Sequence, residues 1–167
     1  MIKMILAHSK ILELVKDPNK KLIENFSESC LEGAGYDLRV GKIYKLKSGG
    51  KIGVSERRTP EISEADCTNY ILAPDEYVLI ETIEKVNMPE NLLARILNRS
   101  SLFRCGCSLF TAVVDPGYRG ILTIGLKNLS AFPFEVEIGA KIGQVVFETV
   151  EGETKLYSGK YQGGKVV

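Results

Sequence analysis

Histidine is nearly missing from this chain: His8 is its single copy in 167 residues. That argues against histidine-built metal centres and a serine–histidine catalytic triad. The zinc nucleobase deaminases need H-x-E together with P-C-x-x-C, and neither pattern occurs. The phosphate loop G-x-x-x-x-G-K-[ST] is missing as well. Cysteine is sparse. Cys30, Cys67, Cys105 and Cys107 have neither the spacing of paired zinc knuckles nor that of a small disulfide framework. They read as small buried hydrophobes, with Cys105 and Cys107 on one face if their segment is a strand. An excess of either charge is also missing: 22 Lys and Arg face 21 Asp and Glu, for a net charge of +1. Bulk electrostatics therefore favour neither a nucleic acid polymer nor a membrane surface, and an anionic ligand has to be met by a local cluster. No apolar run is long enough to span a bilayer. The start, Met1–Lys10, has too short an apolar core for a secretory signal. The expectation is a cytoplasmic protein.

What is present is an ordinary globular composition, 44% hydrophobic and 26% charged, at a length that suits one domain, 1–167. Ile11, Leu12, Leu14 and Val15 form one apolar stripe, which predicts a short helix from Ser9 to about Lys16. Ser9 is its expected N-cap, and Asp17-Pro18-Asn19 its end. The polar stretch from Lys20 to Cys30 is extended or irregular. Tyr36, Leu38 and Val40 alternate with Asp37 and Arg39, a period-2 strand. Tyr77–Thr82 and Pro133–Ile138 read as further strands, and Asn91–Leu97 as a strand or a short helix. Residues 51–67 form a charged surface loop with strand fragments. The tail, 157–167, is rich in Gly and Lys and reads as a flexible arm. Many short strands separated by Gly/Pro turns argue for an all-β sandwich or jelly roll with one N-terminal helix.

Two stretches carry chemistry. From Val113 to Leu126 the residues predict a strand, a tight turn at Asp115-Pro116-Gly117, and a second strand. A carboxylate at such a corner either orients a water or metal, or only accepts hydrogen bonds from the turn's own amides. From Arg99 to Arg104, two arginines flank Ser100 and Ser101. Arginine forks match phosphate oxygens and hydroxyls add short donors; the bland alternative is an exposed, Ser-capped turn. Asp37 is a site carboxylate or a salt-bridge partner, and Gln144 faces a ligand or bridges strands.

In order and spacing, Ile11–Val15, Gly35–Gly41, Arg99–Arg104, Asp115–Tyr118, Gly139–Gln144 and Tyr161–Gly163 resemble the trimeric dUTPase / dCTP deaminase superfamily. The likeness covers most of the chain, and Arg-Ser-Ser followed by Asp-Pro-Gly is its specific part. The opening helix, Arg104 and the Tyr-Gln tail are similar to the deaminase branch in particular. The resemblance implies a mainly β fold, a distorted β-barrel or jelly roll of the trimeric dUTPase type with a short N-terminal helix. It also implies a homotrimer with sites at subunit interfaces.

One position separates the branches. The deaminases carry a proton-shuttling glutamate ten residues after the aspartate of Asp-Pro-Gly. Here that position is Gly125, which transfers no proton. The segment Thr111–Asp115 is also closer to the dUTPase hairpin in length. The resemblance therefore implies hydrolysis of dUTP to dUMP and pyrophosphate with Mg²⁺ bridging the triphosphate oxygens. Asp115 would be the general base for water attacking the α-phosphorus. Arg99, Ser100, Ser101 and Arg104 would hold phosphates, with Gln144 reaching in from another subunit. Tyr118 would lie under the deoxyribose, and backbone groups of Thr111, Ala112 and Val113 would read uracil. Asp37 would support the metal's water shell or the phosphate-binding arginine. Typical dUTPases end in an arm whose phenylalanine stacks on uracil. This tail offers Tyr157, Lys160, Tyr161 and Lys165, of which Tyr161 is assigned to the substrate. The alternatives are a dCTP deaminase or bifunctional enzyme, which needs a substitute for the missing glutamate, and a non-catalytic deoxynucleotide-binding module.

Overall fold

A computed structural model describes residues 4–167; the part of the leader reading that falls on residues 1–3 lies outside them. Every second residue of Tyr77–Asn87 is buried, so Val78, Ile80, Thr82, Glu84 and Val86 face the core. Period-2 burial in a β-branched stretch is what a strand with one covered face requires. The elements in chain order are α1 (His8–Lys16), β1 (Ile23–Glu24), a 3₁₀ turn (Glu28–Cys30), β2 (Leu31–Glu32), β3 (Gly35–Leu46), β4 (Lys51–Ile52), β5 (Arg57–Arg58), β6 (Ile62–Glu64) and β7 (Asn69–Leu72). They continue with β8 (Tyr77–Asn87), β9 (Leu92–Asn98), α2 (Ser100–Arg104), β10 (Cys107–Phe110), β11 (Val113–Val114), β12 (Arg119–Asn128), β13 (Phe134–Glu137) and β14 (Lys141–Thr149).

The main sheet is antiparallel, in the order β10-β12-β8-β3-β14-β9-β11. β3 joins its halves. Residues Tyr36–Arg39 pair with β14, Val40–Lys45 pair with β8, and the register shifts between Val40 and Lys42. Such a bulge bends the strand and raises its twist. β10 and β11 sit at opposite ends of the path, yet only Thr111 and Ala112 separate them in sequence. So short a link spans at most roughly 10 Å, so the two sheet edges must curl towards each other. The result is a mainly β, curled antiparallel half-barrel with a short N-terminal helix, in agreement with the mainly β barrel or jelly roll that the resemblance implies. Tyr36, Phe147, Ile11, Leu22, Leu38 and Ile43 are fully buried at its centre.

Three local expectations are corrected. The N-cap of α1 is Ala7, not Ser9: Ala7 O accepts from the amides of Lys10 and Ile11, and no side chain caps the helix. Packing of Ile11 and Leu14 against the sheet sets where the helix starts, not a capping hydroxyl. Cys105 and Cys107 do not share a strand face. Cys105 ends α2 and is exposed, Cys107 opens β10 and is buried, and Gly106 turns between them. The segment around Thr111–Val113 is no hairpin, because β10 pairs with β12 and β11 with β9. Among the described residues no helix is long and apolar enough to cross a membrane.

Candidate functional site

The turn carrying Asp115 is held on every side. Val114 pairs with Ala94 of β9, Gly117 takes a positive φ of 81°, and the Tyr118 amide donates to Asp115 O at 3.1 Å. Gly117 is needed here, since a side chain resists that conformation. The C-terminal tail locks the turn from outside. Tyr157 N donates to Pro116 O (2.8 Å), Gln162 Nε2 to Gly117 O (3.0 Å), and Gly163 N to Arg119 O (2.8 Å). The Asp115 side chain is exposed and has no hydrogen-bond or ion-pair partner among the described residues. The turn uses the Asp115 carbonyl, and the carboxylate stays available.

Asp115 stands at the rim of a cavity of about 500 Å³ in the gap between the two curled sheet edges. Thr111, Ala112, Val113, Tyr118 and Tyr161 line it too, so six of the expected site residues come together. Thr111 Oγ1 donates to Ile96 O at 3.0 Å, which fixes the link between β10 and β11. The Tyr118 hydroxyl donates to Ile121 O at 2.6 Å, and its ring meets Tyr157 edge-on at 5.4 Å. Burial pushes the Tyr118 phenol up to about 12. It stays neutral at physiological pH and works as a flat wall. Tyr161 carries two cations near its ring, Arg57 at 5.8 Å and Lys160 at 5.6 Å.

The phosphate-binding candidates lie elsewhere. Arg99 Nε is 3.0 Å from Asp37 Oδ2, and Lys141 Nζ is 3.6 Å from the same atom. The Arg99 contact is an ion pair without hydrogen-bond geometry, so Asp37 Oδ2 is buried and unbonded. Gln144 pairs with Asp37 across β14 and β3. Ser100, Ser101 and Arg104 are exposed on α2, with Arg104 over the Phe103 ring at 5.4 Å. None of Asp37, Arg99, Ser100, Ser101, Arg104 or Gln144 lines the Asp115 cavity. A single chain thus divides the expected site in two.

Burial drives the Asp37 carboxyl above its ordinary value; Arg99 and Lys141 oppose the rise and Glu32 adds to it. A raised folded value means that the stability contributed is full below the unfolded value of 3.8 and is lost as pH climbs through the folded one. Asp37→Asn removes that titration. Measured by urea denaturation from acid to neutral pH, the variant's stability relative to the parent is expected to rise with pH. A pH-independent difference would show that Asp37 titrates alike folded and unfolded.

Among the residues in and beside the cavity to which sequence reasoning gave no role are Tyr77, Thr123 and Gln162. Tyr77 and Thr123 line the cavity, and Gln162 ties the tail to the Asp115 turn. Gly125 lies between Phe110 and Leu79 in the sheet register. A Cβ there would overlap the Tyr77 hydroxyl and approach ring atom Cε2 to 2.8 Å. The Tyr77 ring occupies the room that a side chain at 125 would need. A signal was available: a glycine inside an apolar strand often marks close approach by a neighbour.

For Mg²⁺ the donor set is poor. Among the described residues no three His, Cys, Asp or Glu side chains gather into a metal site. The buried carboxylate already faces two cations. The chain's own residues do not fit a protein-built Mg²⁺ cage.

A family model described as dCTP deaminase-like matches residues 5–150. A dCTP deaminase of Pyrococcus horikoshii is 41% identical over 143 residues, 85% of each chain. A probable deoxyuridine 5′-triphosphate nucleotidohydrolase of Methanothermobacter thermautotrophicus is 36% identical over 143 residues, 86% of this chain and 94% of that one. Among solved structures, a 2′-deoxycytidine 5′-triphosphate deaminase from Agrobacterium tumefaciens superposes with a TM-score of 0.72 over 90% of this chain. The chain spans about half that protein's length (49%), and at 18% identity the likeness is one of fold.

Proposed function

The chain belongs to the dCTP deaminase-like family, and within that family we propose that it acts as a dUTP diphosphatase, hydrolysing dUTP to dUMP and pyrophosphate. The observation that carries this reading is the cavity floor. A deaminase needs a positioned group to carry protons to and from the base. Position 125 is glycine, and the Tyr77 ring fills the space above it. Burial raises the Tyr77 phenol, so at neutral pH it keeps its proton and is a poor base. Asp115, by contrast, is unpartnered and rigidly placed at the rim.

In this reading a water molecule donates a proton to the Asp115 carboxylate as its oxygen attacks the α-phosphorus. The bond from that phosphorus to the bridging oxygen breaks, and pyrophosphate leaves. Tyr118, held by Ile121 O, forms the wall under the deoxyribose. Mg²⁺ would offset negative charge on the triphosphate, and no side chain of this chain is assigned to hold it. Asp37 positions Arg99 for the phosphates. The two half-sites of one chain support a homotrimer in which Asp115 of one copy meets Arg99 and Gln144 of another. Exposed Leu97, Phe103 and Val113 support such an assembly by leaving apolar surface near both halves.

The name of the Pyrococcus horikoshii relative favours a second reading, dCTP deamination. A paired assay separates the two: dUTP or dCTP with Mg²⁺, following pyrophosphate and ammonia independently. Pyrophosphate from dUTP without ammonia from dCTP is expected. Ammonia from dCTP would overturn the diphosphatase reading as an exclusive activity. Gly125→Glu alone is expected to yield no ammonia, because Tyr77 blocks the side chain, and to lower stability by about 1–3 kcal/mol through overpacking.

A further inference from the structure

Thr123 is the unexplained polar group of the Asp115 cavity. Its Oγ1 is shut off from solvent and has no hydrogen-bond partner among the described residues. Buried hydroxyls are nearly always bonded, and an orphan is unfavourable for the free protein. Asp37 Oδ2 is the other orphaned atom among the described residues, but two cations stand beside it. Thr123 has no such compensation. It lies two residues from Gly125 on β12, and both line the cavity. Alternate strand residues share a face, so Thr123 is on the floor beside the spot that Tyr77 covers. The surroundings are apolar and partly flat: Phe110 meets Tyr77 edge-on at 6.0 Å, with Ile96 and Leu122 close by in the lining. Flat apolar walls around two hydroxyls without partners among the described residues, Thr123 Oγ1 and Tyr77 Oη, suit a planar heterocycle with a carbonyl on its edge.

We infer that Thr123 is a base-reading residue whose hydroxyl donates a hydrogen bond to a carbonyl oxygen of the bound pyrimidine, with the Tyr77 ring as the stop at its edge. This rests on the reading that the cavity takes a deoxyuridine nucleotide. The hydroxyl is enclosed in the free protein, so the bond requires a turn about χ1 that swings Oγ1 into the cavity as the ligand binds, and the orphan is the ligand-free state. Binding and stability should therefore respond to substitution in opposite directions.

The test is Thr123→Val, which keeps the branched shape and removes the hydroxyl, beside Thr123→Ser, which keeps the hydroxyl. In the full chain without ligand, Thr123→Val is expected to melt at or above the parent's temperature. Its KM for dUTP should rise about tenfold with kcat within about twofold, the pattern of lost ground-state binding. Its affinity for dUMP, read by calorimetry without turnover, should fall by the same factor, and Thr123→Ser should bind dUMP close to the parent. Undiminished dUMP affinity in Thr123→Val overturns the inference, as does a fall of several degrees in its melting temperature. A parent that binds dUMP but releases no pyrophosphate from dUTP overturns the diphosphatase reading alone, and the variants' dUMP affinities still decide Thr123. A parent that binds no deoxyuridine nucleotide overturns both.

Discussion

Asp115→Asn is expected to lower kcat for pyrophosphate release from dUTP by about 10³-fold, the middle of the range for a lost general base. Its melting temperature should stay close to the parent's. The two expectations come from the same observation. The carboxylate is exposed and makes no hydrogen bond or ion pair among the described residues, so the fold draws little support from it. The turn depends on the Asp115 carbonyl, on Gly117 and on the tail's bonds from Tyr157, Gln162 and Gly163, all of which asparagine leaves in place. Steady-state kinetics beside a thermal melt check both parts. A fall in kcat of less than about tenfold would mean that some other group takes the water's proton, since a general base commonly supplies at least 10². A large loss of stability would mean that the carboxylate holds the turn, and the activity loss would then carry no mechanistic weight.

Much of this was legible in the residues. The turn at Asp115-Pro116-Gly117 follows from its chemistry, and the strand at Tyr77 follows from alternation. The stripe Ile11–Val15 gives α1 apart from its cap. The path of Thr111–Ala112 was not legible. A short link between two β-like runs looks like a hairpin, and only the long-range pairing of β10 with β12 and β11 with β9 reveals a crossing between sheet edges. The cavity arises from that crossing. Tyr77 and Thr123 were hidden for the same reason. Tyr77 is 48 residues from Gly125 in sequence, and it reaches the glycine only because β8 and β12 are neighbours. The division of the site into two halves was likewise invisible to motif order, which lists Arg99 and Asp115 sixteen residues apart and says nothing of where each points. Motif likeness singled out candidate residues. The topology decided which of them one chain can bring together.

Glu84→Ala should do the reverse of Asp115→Asn, removing stability where the other removes activity. Glu84 is fully buried on β8, where strand alternation alone would place an apolar residue. It accepts from the Tyr36 hydroxyl (3.1 Å), the Arg39 amide (2.9 Å) and Arg39 Nε (2.6 Å). Arg39 also donates to Asn25 O, and Tyr36 Oη accepts from the Ser27 amide. Through these bonds one carboxylate ties β8 to β3 and to the irregular segment after α1. Removing it leaves a partly buried guanidinium and a buried phenol without their acceptor, a loss of about 3–5 kcal/mol. Against a total of about 5–15 kcal/mol, that is a large fraction of what keeps a domain folded. For a chain of this size the melting temperature should fall by roughly 6–20 °C. Glu84→Gln keeps an acceptor oxygen and should lose less. The informative control is Arg39→Met combined with Glu84→Leu. If the carboxylate serves mainly to neutralise Arg39, the apolar pair recovers most of the loss, because burying two charges is itself unfavourable. If the double variant is as unstable as Glu84→Ala, the hydrogen bonds to Tyr36 and the Arg39 amide carry the stability instead. Chemical denaturation of the three variants and the parent decides this. A Glu84→Ala chain within about 1 kcal/mol of the parent would refute the role of this cluster in joining β3 to β8.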